Sequence, residues 1–211
     1  CVAALAGACA GTAWAFSLLC THSHQMALFS RQLQDDVWAA NPDATASSSI
    51  APFGKAENVA GGVILNGELG WSSGCDHAEW AIVGFRRPAG EGEPAVYCFG
   101  VVPRSDYEIR DDWFVAGMKA SGTNTLILKD VFIPEHRIEA AKDMMEGRSA
   151  GFGLYPDSKI FYAPYRPYFA SGFSAVSLGI AERMLEAYAQ KTRNRVRAYT
   201  GADVGTATPA L

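Results

Sequence analysis

Between Trp71 and Trp80 the chain sets Ser72-Ser73-Gly74-Cys75-Asp76-His77, and further upstream it sets His22, His24 and the triplet Ser47-Ser48-Ser49. These residue types could serve as nucleophiles, metal ligands or hydrogen-bond partners. A serine hydrolase needs a nucleophile oriented by a base, an arrangement defined by geometry, and is poorly supported here. A zinc site wants three or four ligands at recognised spacings, and Cys75 with His77 has no second cluster to complete it, so no metal is expected. His22 and His24 stand two apart, which on a helix turns them to different faces, so at most one serves a site. What remains is a set of hydroxyls and at most one imidazole. Cys75, Asp76 and His77 read best as a turn and cap.

The elements around these groups fall into three zones. The 211 residues are 49% hydrophobic and 19% charged with net charge -4, an ordinary globular profile that makes nucleic acid an unlikely partner. Residues 1–36 are small and apolar, and no Lys, Arg, Asp or Glu precedes Arg31. The run is rich in Gly, Ala, Ser and Thr and has no basic start, so a buried helix is expected rather than a membrane span. Ala6, Gly7, Ala10 and Gly11 would let a second helix approach closely. Residues 37–139 begin with the loop chemistry of Asn41-Pro42 and Ala51-Pro52. They continue as short β-branched and aromatic runs parted by Gly, Pro and Asp, which predict a small antiparallel barrel or sandwich. Arg86 to Pro94 reads as a solvated hairpin loop. After Pro134 the chain is expected to return to helix. Over 140–211, Phe173, Val176, Ile180, Met184 and Tyr188 form one amphipathic stripe that wants a partner face. The remaining chain is too short to build that partner, so truncation at both ends is expected. Five cysteines without a CxxC pair suggest a reducing, cytoplasmic setting.

The order of these zones, with "NPDATASSS", "GGVILNGELGWSSGCDHAEW" and "DDWFVAGMKASGTNTLILKDVFIP", resembles the acyl-CoA dehydrogenase fold. The implied class is α+β, a middle antiparallel β domain flanked by helical domains. Within it, "SSSIAPFGKAENVAGGVILNGELGWSSGCDHAEW" resembles the flavin-dependent monooxygenase branch, the oxygenase components of two-component 4-hydroxyphenylacetate 3-hydroxylases and steroid phenol hydroxylases. The resemblance covers about Trp14 to Arg197. It implies reduced FMN, less likely FAD, delivered by a separate NAD(P)H:flavin reductase, and O2 as co-substrate. It further implies a flavin C4a-hydroperoxide that hydroxylates a phenol ortho to its hydroxyl, and a homotetramer whose subunits complete one another's flavin sites. No NAD(P)H fingerprint occurs in the chain, in keeping with reduction elsewhere. By the same resemblance Trp14, Ser47, Ser49, Trp71, Ser73 and Arg195 face the flavin, with Ser73 offering its hydroxyl to N5. His22, Ser48 and Arg166 face the substrate, with His22 as general base, Ser48 orienting the phenol and Arg166 meeting a carboxylate. The rival readings are an acyl-CoA dehydrogenase, whose carboxylate base commonly lies in a later helical region, and a noncatalytic truncated fragment of the fold.

Overall fold

Small residues at the start of the chain do let helices cross closely. In a computed structural model, which describes residues 1–193, 195–196, 198–199, 201 and 203–204, helix α1 (Val2–Ala8) runs into α2 (Ala10–Met26) through an extended Cys9. A third helix, α3 (Arg31–Trp38), starts at Ser30, whose Oγ accepts from the Leu33 amide and donates to the His136 carbonyl. Such a cap satisfies an amide that the helix start would leave unpaired. The long helix α5 (Tyr165–Arg193) packs on α1 and α2. Among the described residues no helix is long and apolar enough to cross a membrane.

Seven strands form one sheet: β1 (Ala46–Val59), β2 (Gly62–Ser72), β3 (Trp80–Arg87), β4 (Val96–Pro103), β5 (Glu108–Arg110), β6 (Asn124–Pro134) and β7 (Ile138–Ala140). Their spatial order is β5-β6-β2-β1-β3-β4-β7. Every neighbouring pair is antiparallel except β1 with β3, which run parallel, so the expected antiparallel sheet carries one parallel seam. After Pro134, where helix is expected, the chain first adds β7 against β4 at the end of the 37–139 zone, and helix resumes in the short α4 (Ala141–Met145). Three residues are too few for a periodicity to declare itself.

Alternation along the strands divides the core. Ala81, Val83 and Phe85 of β3 pack with Val63, Leu65 and Ile133 on one face of the sheet. Ile82 turns to the other face, where it meets Met26, Phe29 and Leu33 from the helical layer. This two-residue period is what a sheet covered on both faces requires.

Candidate active site

The strand β1 lies between β2 and β3, and the site lies where its ladder with β2 has ended. Lys55–Val59 ladder with Gly62–Asn66 of β2, whereas Ala46–Ser49 pair only with β3, which β1 meets again at Gly54 and Lys55 after a register shift. Beyond the β1–β2 ladder, side chains take over its work. Ser49 Oγ donates to the Gly70 carbonyl at 2.6 Å, and Ser72 Oγ donates to Ser47 Oγ at 3.0 Å. Each such bond contributes about 1 kcal/mol, and leaving its buried partner unpaired would cost more. The three serines therefore have a structural reason: they bridge strands whose backbones have parted.

A cavity of about 570 Å³ occupies the opening, lined by Ser48, Ser49, Trp71 and Ser73 from the sheet, Trp14 and Leu18 from α2, and Phe169 and Phe173 from α5. Met118, Ser121 and Thr123 close its rim with Trp113. The Cβ that a larger residue would have at Gly11 falls 3.0 Å from the Ser121 amide, so a glycine in α2 lets this turn lie against the helix. Of the three non-glycine residues with positive φ among the described residues, Trp71 at 63° and Met118 at 58° line the cavity, while Asp130 at 51° lies away from it on β6. Such conformations persist only where the surroundings enforce them, and two of the three stand at this site.

Ser73 is the polar centre of the cavity wall. Its Oγ accepts from Trp14 Nε1 at 3.0 Å and lies 2.9 Å from Thr123 Oγ1. Thr123 Oγ1 is in turn 2.6 Å from Ser121 Oγ. Trp14 stacks on Phe173 with ring centroids 4.7 Å apart, so its indole is held by a ring on one side and a hydrogen bond at its edge. Gly74 supplies the left-handed turn, φ 73°, that carries the chain from Ser73 into a 3-10 turn over Cys75–His77. Cys75 is buried, and Asp76 Oδ2 accepts from Asn124 Nδ2 at 3.1 Å. The triplet between the tryptophans thus works as a turn tied to β6.

His22 is fully buried one helical turn beyond Leu18, with its ring 5.9 Å from that of Phe169. Its Nδ1 lies 2.7 Å from the Ala46 carbonyl, an acceptor only, so Nδ1 carries the hydrogen and Nε2 presents a lone pair. Nε2 is buried with no partner among the described residues. Burial lowers the His22 pKa to about 4, against a smaller opposing effect of the Ala46 bond, so the ring is neutral at pH 7. His24 turns the other way, stacking on Phe161.

Of the residues expected at the site, Trp14, Ser48, Ser49, Trp71 and Ser73 line the cavity. Ser48 Oγ makes no hydrogen bond among the described residues. His22 adjoins the cavity without lining it, and Ser47 is fully buried against Ser72. Arg166, in the first turns of α5, and Arg195, just past its end, are exposed and do not line it. Phe169, Phe173, Met118, Ser121 and Thr123 were not singled out from sequence for this wall. Phe173 was assigned to a helical stripe, and Ser121 lay in a stretch notable only for resemblance. The string Gly-x-Ser-x-Gly occurs at Gly70–Gly74 and at Gly147–Gly151. Neither is a nucleophile elbow, because Ser72 is buried on Ser47 within β2, and Ser149 sits in a loop with its hydroxyl buried.

A helical layer laid over a sheet, with an aromatic-walled, hydroxyl-bearing cavity at their seam, is the arrangement of the acyl-CoA dehydrogenase fold class. No family model matches the chain. It is 74% identical over 211 residues to the p-hydroxyphenylacetate 3-hydroxylase oxygenase component of Acinetobacter baumannii, covering 100% of the chain and 50% of that protein. It is 37% identical over 194 residues to the flavin-dependent monooxygenase oxygenase subunit HsaA of Mycobacterium tuberculosis, covering 92% and 49%. The crystal structure of 3-HSA hydroxylase from Rhodococcus sp. RHA1 superposes with a TM-score of 0.84 at 37% identity, over 93% of this chain and 50% of that one. XiaF from Streptomyces sp., solved with FADH2 and glycerol, superposes at 0.85 and 25% identity, over 98% and 52%. The chain spans about half the length of the curated relatives it matches. Over that half it is similar in sequence and fold to oxygenase components of flavin-dependent hydroxylases.

Proposed function

We propose that this chain forms the flavin-facing and substrate-facing part of an oxygenase component that hydroxylates a phenol ortho to its hydroxyl, using O2 and reduced FMN, or less readily FAD, supplied by a separate NAD(P)H:flavin reductase. The observation that carries the reading is the cavity itself, whose aromatic walls suit a flat ring system and whose Ser73 Oγ offers a fixed polar contact at the edge. Its volume is in the range of small-molecule and cofactor sites. Reduced flavin supplies oxygen activation and delivery of one oxygen atom to the ring carbon.

This chain's own residues do the rest. Trp14 and Trp71 present aromatic surface to the isoalloxazine, and Ser73 meets its N5 edge. Ser49 and Ser47 brace the strand beside it. His22 is assigned as general base: its neutral Nε2 lone pair accepts a hydrogen bond from the phenol hydroxyl, and that proton moves toward it only as the ring gains electron density, while Ser48 orients the phenol oxygen. A proton acceptor buried beside an apolar cavity works without competition from water. Arg166 is assigned to a substrate carboxylate, and Arg195 to a flavin phosphate in a neighbouring subunit of a cytoplasmic homotetramer. Relatives named for phenolic substrates, p-hydroxyphenylacetate and, at 36% identity, resorcinol, support the substrate class.

The test uses the full-length protein containing this chain, charged anaerobically with photoreduced FMN and then exposed to O2 with 4-hydroxyphenylacetate. A catechol product formed nearly one for one with flavin oxidised is the expected result. Hydrogen peroxide with no catechol from any of a panel of phenols would refute the hydroxylase reading.

A further inference from the structure

We propose that Thr123 and Ser121 are positioning residues that lock Ser73 as a pure hydrogen-bond acceptor toward the cavity, and that the site thereby selects reduced over oxidised flavin. The inference rests on the flavin reading above and goes beyond it, because it assigns a redox preference to two residues that need not touch the flavin.

The argument is a count of protons. Ser121 Oγ lies 2.9 Å from the Met118 carbonyl oxygen, Thr123 Oγ1 lies 2.6 Å from Ser121 Oγ, and Ser73 Oγ lies 2.9 Å from Thr123 Oγ1. Oxygen atoms this close need one proton between each pair, since bare lone pairs would repel. The carbonyl has no proton to give, so Ser121 donates to it. With that proton committed, Thr123 must donate to Ser121, and Ser73 must then donate to Thr123. Three hydroxyl protons fill three contacts in a single direction. The Met118 carbonyl also receives Trp113 Nε1 and the Ser121 amide, which fix the acceptor in place. Ser121 and Thr123 are both buried, so bulk water offers no easy substitute for these bonds.

Trp14 Nε1 fills one lone pair of Ser73 Oγ. The second lone pair remains, on a residue that lines the cavity, and the Ser73 proton is turned away from it. Such an oxygen welcomes an N–H and repels a bare nitrogen lone pair. Reduced flavin carries hydrogen at N5, whereas oxidised flavin presents only a lone pair there. The same relay that holds the reduced form would therefore discard the oxidised form, returning it for reduction.

Ser121→Ala takes away the acceptor of the Thr123 proton, which then turns to Ser73 and releases the Ser73 proton into the cavity. Thr123→Val reaches the same end by removing the acceptor of Ser73 itself, and Thr123→Ser keeps the relay intact. The experiment measures Kd for oxidised FMN and, anaerobically, for photoreduced FMN with the full-length parent and these three variants. Expected is a preference for reduced FMN in the parent and in Thr123→Ser, reduced about tenfold in Ser121→Ala and Thr123→Val, chiefly by tighter binding of the oxidised form. For a two-electron couple that is a shift of about 30 mV in the midpoint potential of bound flavin. An unchanged ratio in Ser121→Ala, or equal weakening of both redox forms, would overturn the relay while leaving the flavin site standing. A parent that binds neither form would overturn the flavin reading and the relay with it.

Discussion

His22 keeps one nitrogen on the Ala46 carbonyl and leaves the other bare, and burial holds its pKa near 4, below the value of about 6.5 for an unperturbed imidazole. Stability should follow from the same fact. Because the unfolded chain takes up this proton first as pH falls, the contribution of His22 is complete above about pH 6.5 and is lost progressively toward pH 4, at on the order of 1 kcal/mol per pH unit. Urea midpoints at pH 7 and pH 5 should therefore separate more for the parent protein than for His22→Gln, which cannot titrate. Equal separations would show that the native ring protonates freely. The sequence offered His22 as a base only through resemblance. Its tautomer and its desolvation come from Ala46 and the helical layer, which stand elsewhere in the chain.

At the scale of elements, the approach of α1 to α5 depends on Gly179. A Cβ there would lie 2.0 Å from the Ala3 carbonyl oxygen, a backbone atom that cannot move aside without displacing its helix. Gly179→Ala should destabilise the protein by about 3 kcal/mol or more, read as a lowered urea midpoint. Because Phe169 and Phe173 reach the cavity from the same helix, weakened flavin binding should accompany the loss. A midpoint unchanged by this substitution would mean that the helices cross farther apart. The small residues of α1 and α2 were legible as a device for close packing. Their partner was not, because small residues permit an approach without specifying what approaches. The β strands were legible from their alternation, whereas the parallel seam between β1 and β3 was not, since direction depends on where the intervening chain crosses.

For the molecule as a whole, the amphipathic stripe on α5 is only partly covered. Val176 is buried against α1 and α2, yet Met184 and Tyr188 are 67% and 65% exposed, and Leu185 beside them is 69% exposed. Contiguous apolar surface of this kind drives association. The 211-residue chain taken alone should self-associate with rising concentration in light scattering, and Met184→Lys combined with Leu185→Lys should suppress it. A chain that stays monomeric at high micromolar concentration would show that this face needs no cover.

By itself the sequence determined the longer helices and strands, because hydrophobic period is a local property of neighbouring residues, while an element as short as β7 shows no period. Through the resemblance carried by its serines and tryptophans, it also pointed to the family that the comparisons bear out. Tertiary structure alone decided that Ser49 and Ser72 bridge the parted strands while Ser48 stays free in the cavity, since all three are short hydroxyls on strands and differ only in what faces them. It alone brought Trp14, Ser73, Thr123 and Ser121 into one hydrogen-bonded line. Proton direction in such a line is set by its terminal acceptor, the Met118 carbonyl, and no spacing along the chain encodes which oxygen will stand at the end.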